Sequence, residues 1–404
     1  MKIRVLAVCI VAALFCLPAT AQTGAGNGNA VALAKKSPAV QAAYNYLITQ
    51  AQQLQDDNLR TQTLDAITNP ATCVKHRANV SPAQQQMILQ QLLAAGLVDP
   101  ADNATFPGGL IAGVFPAIVN DGSACPQLPQ TFFSAPGSVF GGHHSYPGGL
   151  PIHEANNDTS DVYLANQYRA MYGHSSHGFV SLDPKVLDKK PAEKSTVFID
   201  QDIIVGAPIW HDWGKSIVFQ WNADGSEFPE LNFGGNGTTD AWGAAGNSKT
   251  GGHHIISVAE AMVRGLSPAF VITQASAHSN PTSGNEYKVV NWIHAAAIMA
   301  QIDPVAIDLA DIGQTNVLAE YTLHNLSDAD FTYSGPAVTA AQTVLQTLAP
   351  RYGYDPANAS VYNNGYRNPV LSFITGEHLL MLYSEQGLAG VQAELDKLKK
   401  DHII

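Results

Sequence analysis

The chain has 404 residues, 46% hydrophobic and 13% charged, so it is globular rather than disordered as a whole and long enough for two or three domains. Asp and Glu number 33 against 21 Lys and Arg, a formal charge of −12 that excludes a broad phosphate-backbone-binding face but not a local basic pocket. Histidine is the unusual residue: 14 in all, ten of them between His143 and His294.

In chain order, Lys2, Arg4, the apolar run Val5 to Leu17 and Pro18-Ala19-Thr20-Ala21 read as a secretory signal cleaved before Gln22. That implies a secreted or periplasmic protein with no membrane anchor after cleavage, since no later apolar run is long enough to span. Losing residues 1–21 removes Cys9 and Cys16 and leaves Cys73 and Cys125. An even pair in an oxidising compartment suits a disulfide; two buried free thiols are the alternative. Ser37-Pro38 and Ser81-Pro82 are helix starts, the first followed by Val40, Tyr44, Leu47, Ile48, Ala51 and Leu54 at helical spacing. The second helix stops at Gly96, and Asp99 to Gly142 is rich in Pro and Gly and reads as irregular.

Helical patterns resume from Ile152 to about Tyr172 and from Asp202 to about Trp213. Ile217 to Trp221, the turn residues Asp224-Gly225 and Glu227 to Phe233 predict a β-hairpin. Further helices are expected from His254, over Tyr287–Ile302, Pro304–Leu326 and Pro336–Leu348, and over Leu371–Leu398 with its Lys-rich last turn. The class is mostly α with one small β insertion, and no internal repeat is visible.

Five histidine elements stand out: Gly141-Gly142-His143-His144-Ser145-Tyr146-Pro147-Gly148-Gly149-Leu150 leading to His153, then His211-Asp212-Trp213-Gly214-Lys215, Gly252-His253-His254, Ala277-His278-Ser279, and His294. Imidazole and carboxylate together suit Zn, Fe, Mn or Ni. On one helix His211 and Asp212 point about 100° apart, so both reach one ion only if it sits between them. His174-Ser175-Ser176-His177 reads as a solvated loop, and His324, His378 and His402 have no metal-like company. Trp210, Trp213, Trp221 and Trp242 read as packing residues, and Gly234-Gly235-Asn236-Gly237 lacks the lysine of a phosphate loop.

The order His153, His211-Asp212, His254, His278, with the Pro147-Gly148-Gly149-Leu150 entry and the His211-to-Lys215 block, resembles the HD-domain superfamily of metal-dependent phosphohydrolases. It is particularly similar to the bacterial HD-type exoribonucleases and cyclic-dinucleotide phosphodiesterases. The resemblance covers about residues 138–303. It implies a helical HD-like core there and says nothing about the flanks, which the helix signals above make helical at 22–137, with an irregular Pro/Gly-rich segment, and at 304–404. It further implies His153, His211 and Asp212 as ligands of one ion, and His254 and His278 as ligands of a second. Lys215, His143, His144, His253 and His294 would face the substrate, and His253 could exchange roles with His254. Asp212, Lys215 and His144 would carry the catalysis: water activated by one or two divalent transition-metal ions hydrolyses a small phosphate ester, with no extended nucleic-acid surface. The family's last ligand is an Asp on a late helix, and alignment on Trp292-Ile293-His294 sets Ala297 against it, with Asp303 six positions on. That departure leaves open a mononuclear site, a remote ligand, or a degenerate HD domain acting as a non-catalytic binding module. A di-iron oxygenase of HD type is a further alternative, and it too needs the absent Asp.

Overall fold

Serine caps set several of the helix starts. In the computed structural model, which describes residues 22–172, 198–282, 284–304 and 318–404, the Ser37 side chain accepts from the Val40 amide with Pro38 at the first helical position, opening α2 (Pro38–Gln52) after α1 (Asn27–Ala34). Ser81 forms a capping box with Gln84 at the head of α4 (Pro82–Ala94), which follows α3 (Asp57–Thr68). The stretch expected to be irregular holds two short α-helices, α5 (Asp102–Thr105) and α6 (Gly109–Val114), and a 3-10 turn, Phe132–Ser134. Then come the long α7 (Gly149–Tyr172), α8 (Gln201–His211), capped by Asp200, and the single turn α9 (Lys215–Val218). The rest are α10 (Gly252–Val263), α11 (Pro268–Ala275), α12 (Glu286–Ala300), α13 (Ala319–Ser327), α14 (Phe331–Leu348), α15 (Ala359–Tyr362), α16 (Asn368–Ile374) and α17 (Gly376–Lys400).

The protein is mostly helical, as its periodicity predicts. Two details differ. Ile217 and Val218 are helical, not extended, and the turn at Asp224-Gly225 closes a single bridge, Trp221 to Glu227. The two-stranded antiparallel sheet lies further on, pairing β1 (Asn232–Phe233) with β2 (Thr250–Gly251). The β-branched run that suggested a strand is instead fully buried and ends the Asp212 turn, so tertiary packing overrides propensity. The expected helix over 371–398 is broken at Thr375, which takes φ 65° and caps the next segment through the His378 amide, and is kinked again at Gly387 (φ 63°, ψ −159°).

One buried apolar cluster runs from Leu47 to Tyr321 and joins residues of the N-terminal helices to those of α8, α10, α11 and α12. Trp210 and Trp213 are buried in it, each donating its indole N–H into α3, to Thr63 Oγ1 (2.8 Å) and Ala66 O (3.1 Å). Trp221 is buried too, while Trp242 is exposed. A second cluster, including Val338, Leu345, Leu371, Val391 and Leu395, holds the C-terminal helices together and includes Tyr146. Cys73 and Cys125 form a disulfide with Cα atoms 5.0 Å apart. Among the described residues no helix is long and apolar enough to cross a membrane. The expected signal at 1–21, the His174–His177 pair and residues 305–317 of the expected 304–326 helix lie outside the described residues.

Candidate metal centre

Helix α7 packs against α2, α8 and α13, and these contacts bring distant chain segments to one buried point. His153 lies on the first turns of α7. His211 is the last residue of α8, and Asp212 lies just beyond it with φ −109° and ψ 11°. Leaving the helix at that residue frees Asp212 from the 100° separation, so both side chains converge. Gly214 lies against the His253 carbonyl, where any side chain would collide, which docks this turn onto the start of α10. The turn after α11 supplies His278. A one-turn 3-10 helix after α13, Asp328–Asp330, supplies Asp328.

The Nε2 atoms of His153 and His211 both stand 3.3 Å from Asp212 Oδ2, and 3.3 and 3.2 Å from Asp328 Oδ1. Ligand bonds of about 2.0–2.2 Å would set neighbouring donors roughly 3.3 Å apart around a tetrahedral ion. The other carboxylate oxygens turn to a second pair of histidines. Asp212 Oδ1 is 2.9 Å from His253 Nε2 and 3.9 Å from His278 Nε2, and Asp328 Oδ2 is 3.7 Å from His278 Nε2. Asp212 Oδ1 and His253 Nε2 are buried, and despite their 2.9 Å separation neither has a hydrogen-bond partner. Two buried polar atoms this close and without a hydrogen bond suit a shared cation.

Second contacts orient the rings. His211 Nδ1 lies 2.9 Å from the Pro208 carbonyl and so carries the proton, leaving its Nε2 lone pair for the cluster. Glu154 Oε2 stands 3.0 Å from the same nitrogen. His253 Nδ1 meets Glu230 Oε1, and His278 Nδ1 meets Thr250 Oγ1 at 2.8 Å. Burial disfavours charge on Asp212, yet His211, Lys215 and His253 hold its carboxyl well below the usual range. Asp328 is likewise held low, against its burial, chiefly by His211 and His153. Burial pushes His278 down to about 4, so it is neutral at pH 7. His153 goes up to about 10 against its burial and Lys215, drawn by the surrounding carboxylates of Asp212, Asp328 and Asp330. Without a metal ion the two carboxylates are thus balanced by imidazolium protons, which a metal would displace.

The expected ligands His153, His211, Asp212 and His278 come together. His253 and His254 exchange roles. His254 points its Nε2 at the Ala275 carbonyl (3.1 Å) and stacks on His278 with ring centres 4.1 Å apart, so it supports a ligand rather than being one. Lys215, expected at a substrate phosphate, is 2% exposed. Its three N–H groups are taken by Asp212 Oδ2, the Gly137 carbonyl and His143 Nε2 (3.2 Å). It neutralises Asp212, and His143 serves as its acceptor. His144 is also engaged at both ring nitrogens, by Asp330 and Tyr146, which leaves it no face for a substrate. His294 is half-buried on α12 and is not among the histidines that reach Asp212 or Asp328.

The second carboxylate facing His153 and His211 comes from neither position 297 nor position 303. Ala297 is 1% exposed within the apolar cluster and Asp303 is exposed, while the carboxylate comes from Asp328, 117 residues after His211. Asp328 lies beyond the 138–303 stretch expected as the core. Sequence reasoning also missed Glu154, Glu230, Thr250 and Asp330. His324 is not bland: it is buried, 5.2 Å ring to ring from His211, with Nδ1 3.2 Å from Asp161 Oδ2. A signal for part of this was present, since Glu154, Asp158 and Asp161 recur at helical spacing on one face of α7, and all three are fully buried.

Three further groupings draw on the same residues: His143, His153 and Asp212; His153, Glu154 and His211; and His144, His153 and Asp330, each with ligand atoms within 4.8 Å of one another. No family model matches the chain, and it matches no curated protein and no solved structure. Fold and site define the class directly: a mostly helical protein with a disulfide and buried His/Asp clusters that could hold a metal ion.

Proposed function

We propose that the protein is an exported metal-dependent phosphohydrolase of HD type, acting on a small phosphate ester such as a nucleotide. One observation carries this reading: Asp212 and Asp328 each present one oxygen to His153 and His211 and the other toward His278, with His253 beside Asp212. Two bridging carboxylates between two histidine pairs suit a pair of divalent ions. Such ions supply Lewis acidity toward phosphoryl oxygens and make their bound water more acidic. The chain's own groups do the rest. His153 and His211 would hold the first ion, His253 and His278 the second. Lys215 keeps Asp212 ionised and ties it to Gly137. Of the four histidines around the carboxylates His278 is the most open, its side chain 23% exposed, so its side is the approach for substrate. Hydrolysis adds the hydroxyl of water to phosphorus and its proton to the departing alcohol. The disulfide suits an oxidising compartment, which agrees with the expected signal.

Elemental analysis of protein from its native compartment, followed by a metal-supplemented screen of phosphomonoesters and phosphodiesters, tests the reading. Turnover that vanishes in His211→Ala is expected. A metal-loaded protein inactive on both panels overturns it. The di-iron oxygenase reading gains from Asp328, because it needs that last carboxylate. Oxygen consumption by the iron-loaded protein with no phosphate release would select it. The non-catalytic module drew on the absence of a carboxylate at Ala297, and Asp328 beside His153 and His211 favours the catalytic reading over it.

A further inference from the structure

Three of the four histidines around the carboxylates have Nδ1 engaged, by Pro208, Glu230 and Thr250. His153 differs. Its Nδ1 is buried and has no hydrogen-bond partner, but Asp330 Oδ2 stands 3.6 Å away. That same oxygen is gripped by His144 Nε2 at 2.8 Å. His144 is fully buried and takes φ 46°, the left-handed region that non-glycine residues rarely adopt. Its carbonyl accepts from the Gly137 and Tyr146 amides (2.9 and 2.8 Å), and its Nδ1 meets the Tyr146 hydroxyl at 2.9 Å. Glu377, at the head of α17, approaches the same nitrogen to 3.6 Å and accepts from Ser334. A strained residue held from four sides beside a candidate site is a device rather than an accident of packing.

Asp330 shares a single 3-10 turn with Asp328. Whatever fixes Asp330 therefore also fixes the turn that presents Asp328. We propose that Asp330, clamped by His144, is a positioning residue that aims two ligands at once, the His153 ring and the Asp328 carboxylate. The proposal rests on the metal-site reading above. It also gives the C-terminal helices a role at the centre, because Tyr146 of the second apolar cluster and Glu377 at the head of α17 buttress the clamp.

The test is Co²⁺ titration of the metal-free full chain, read by visible ligand-field absorption, with apo thermal unfolding measured in parallel. Asp330→Asn and His144→Asn are each expected to weaken Co²⁺ binding roughly 10–100-fold and to shift the band, a loss larger than any fall in the apo unfolding midpoint accounts for. Asparagine is chosen at 144 because it tolerates the left-handed region, so that variant decides if Asp330→Asn fails to fold. Wild-type affinity and band in the folded variants overturn the proposal. So does a loss that only tracks a lower apo midpoint, or a whole Co²⁺ equivalent missing from His144→Asn, which would make His144 a ligand. His211→Ala separates the two readings. Wild-type protein that takes up no Co²⁺ overturns both, whereas uptake lost in His211→Ala and unchanged in Asp330→Asn overturns the clamp alone.

Discussion

Asp328 and Ala297 pose opposite experiments on one question. Asp328 bridges both histidine pairs, so Asp328→Asn is expected to cost more than the roughly 10–100-fold in metal affinity typical of an outer-sphere partner. Metal content after dialysis checks this, and a wild-type stoichiometry would contradict it. Ala297→Asp restores the carboxylate that alignment finds missing. Its position is apolar and 1% exposed, so the variant is expected to gain no metal and to lose about 3 kcal/mol or more of stability from an unpaired buried charge. Urea unfolding reads that loss. Lys215 teaches the related point that a lysine beside a His-Asp pair is spoken for when three acceptors already surround it.

Helix α10 carries His253 at its start, and its other end is tied down by Glu260. That carboxylate accepts from the Lys75 and His76 amides (3.0 and 3.1 Å), from His76 Nδ1 (2.7 Å) and from Arg264 Nε (2.7 Å). Burial opposes its charge, but His76 and Arg264 hold it down to about 2. A depressed carboxyl stabilises the fold above its unfolded value, near 4.5, and that contribution is lost as pH falls from there toward 2. Glu260→Gln is therefore expected to cost about 3–5 kcal/mol at pH 7 and to flatten the decline of stability between those pH values. Unfolding curves across that range check the sign, and a variant with the wild-type acid slope would refute it.

The whole molecule is held by contacts that join segments far apart in the chain. The Cys73–Cys125 bridge closes a separation of 52 residues. Replacing both cysteines by serine is expected to lower stability by about 4 kcal/mol on the chain-entropy estimate. Thiol titration of the denatured, unreduced wild type should find neither of these two free. The Asp224-Gly225 turn docks on the C-terminal region, where Asn368 Nδ2 donates to the Gly225 carbonyl at 2.8 Å. Glu227 is buried beside it with neither oxygen hydrogen-bonded, and burial pushes it up to about 8 despite Arg367. A raised carboxyl destabilises the fold as pH rises from its unfolded value toward 8, by up to about 1.4 kcal/mol per pH unit. Glu227→Gln should remove that slope, as unfolding midpoints between pH 5 and pH 8 would reveal.

Most of the helices were legible in the sequence because their causes are local: serine caps, proline at the first turn and apolar residues at helical spacing. The candidate ligands His153, His211, Asp212 and His278 were legible because their flanking residues form recognisable blocks. Two kinds of fact were not. Which of His253 and His254 faces the carboxylates depends on the rotation of α10, set by its contacts with Gly214 and Glu230. That the closing carboxylate is Asp328 depends on α13 packing against α7, a contact between segments more than a hundred residues apart. Residue types and local spacing determined by themselves that the chain is helical and rich in metal-binding side chains. Only the tertiary structure decided which of them meet, because that follows from packing between distant segments and leaves no local pattern.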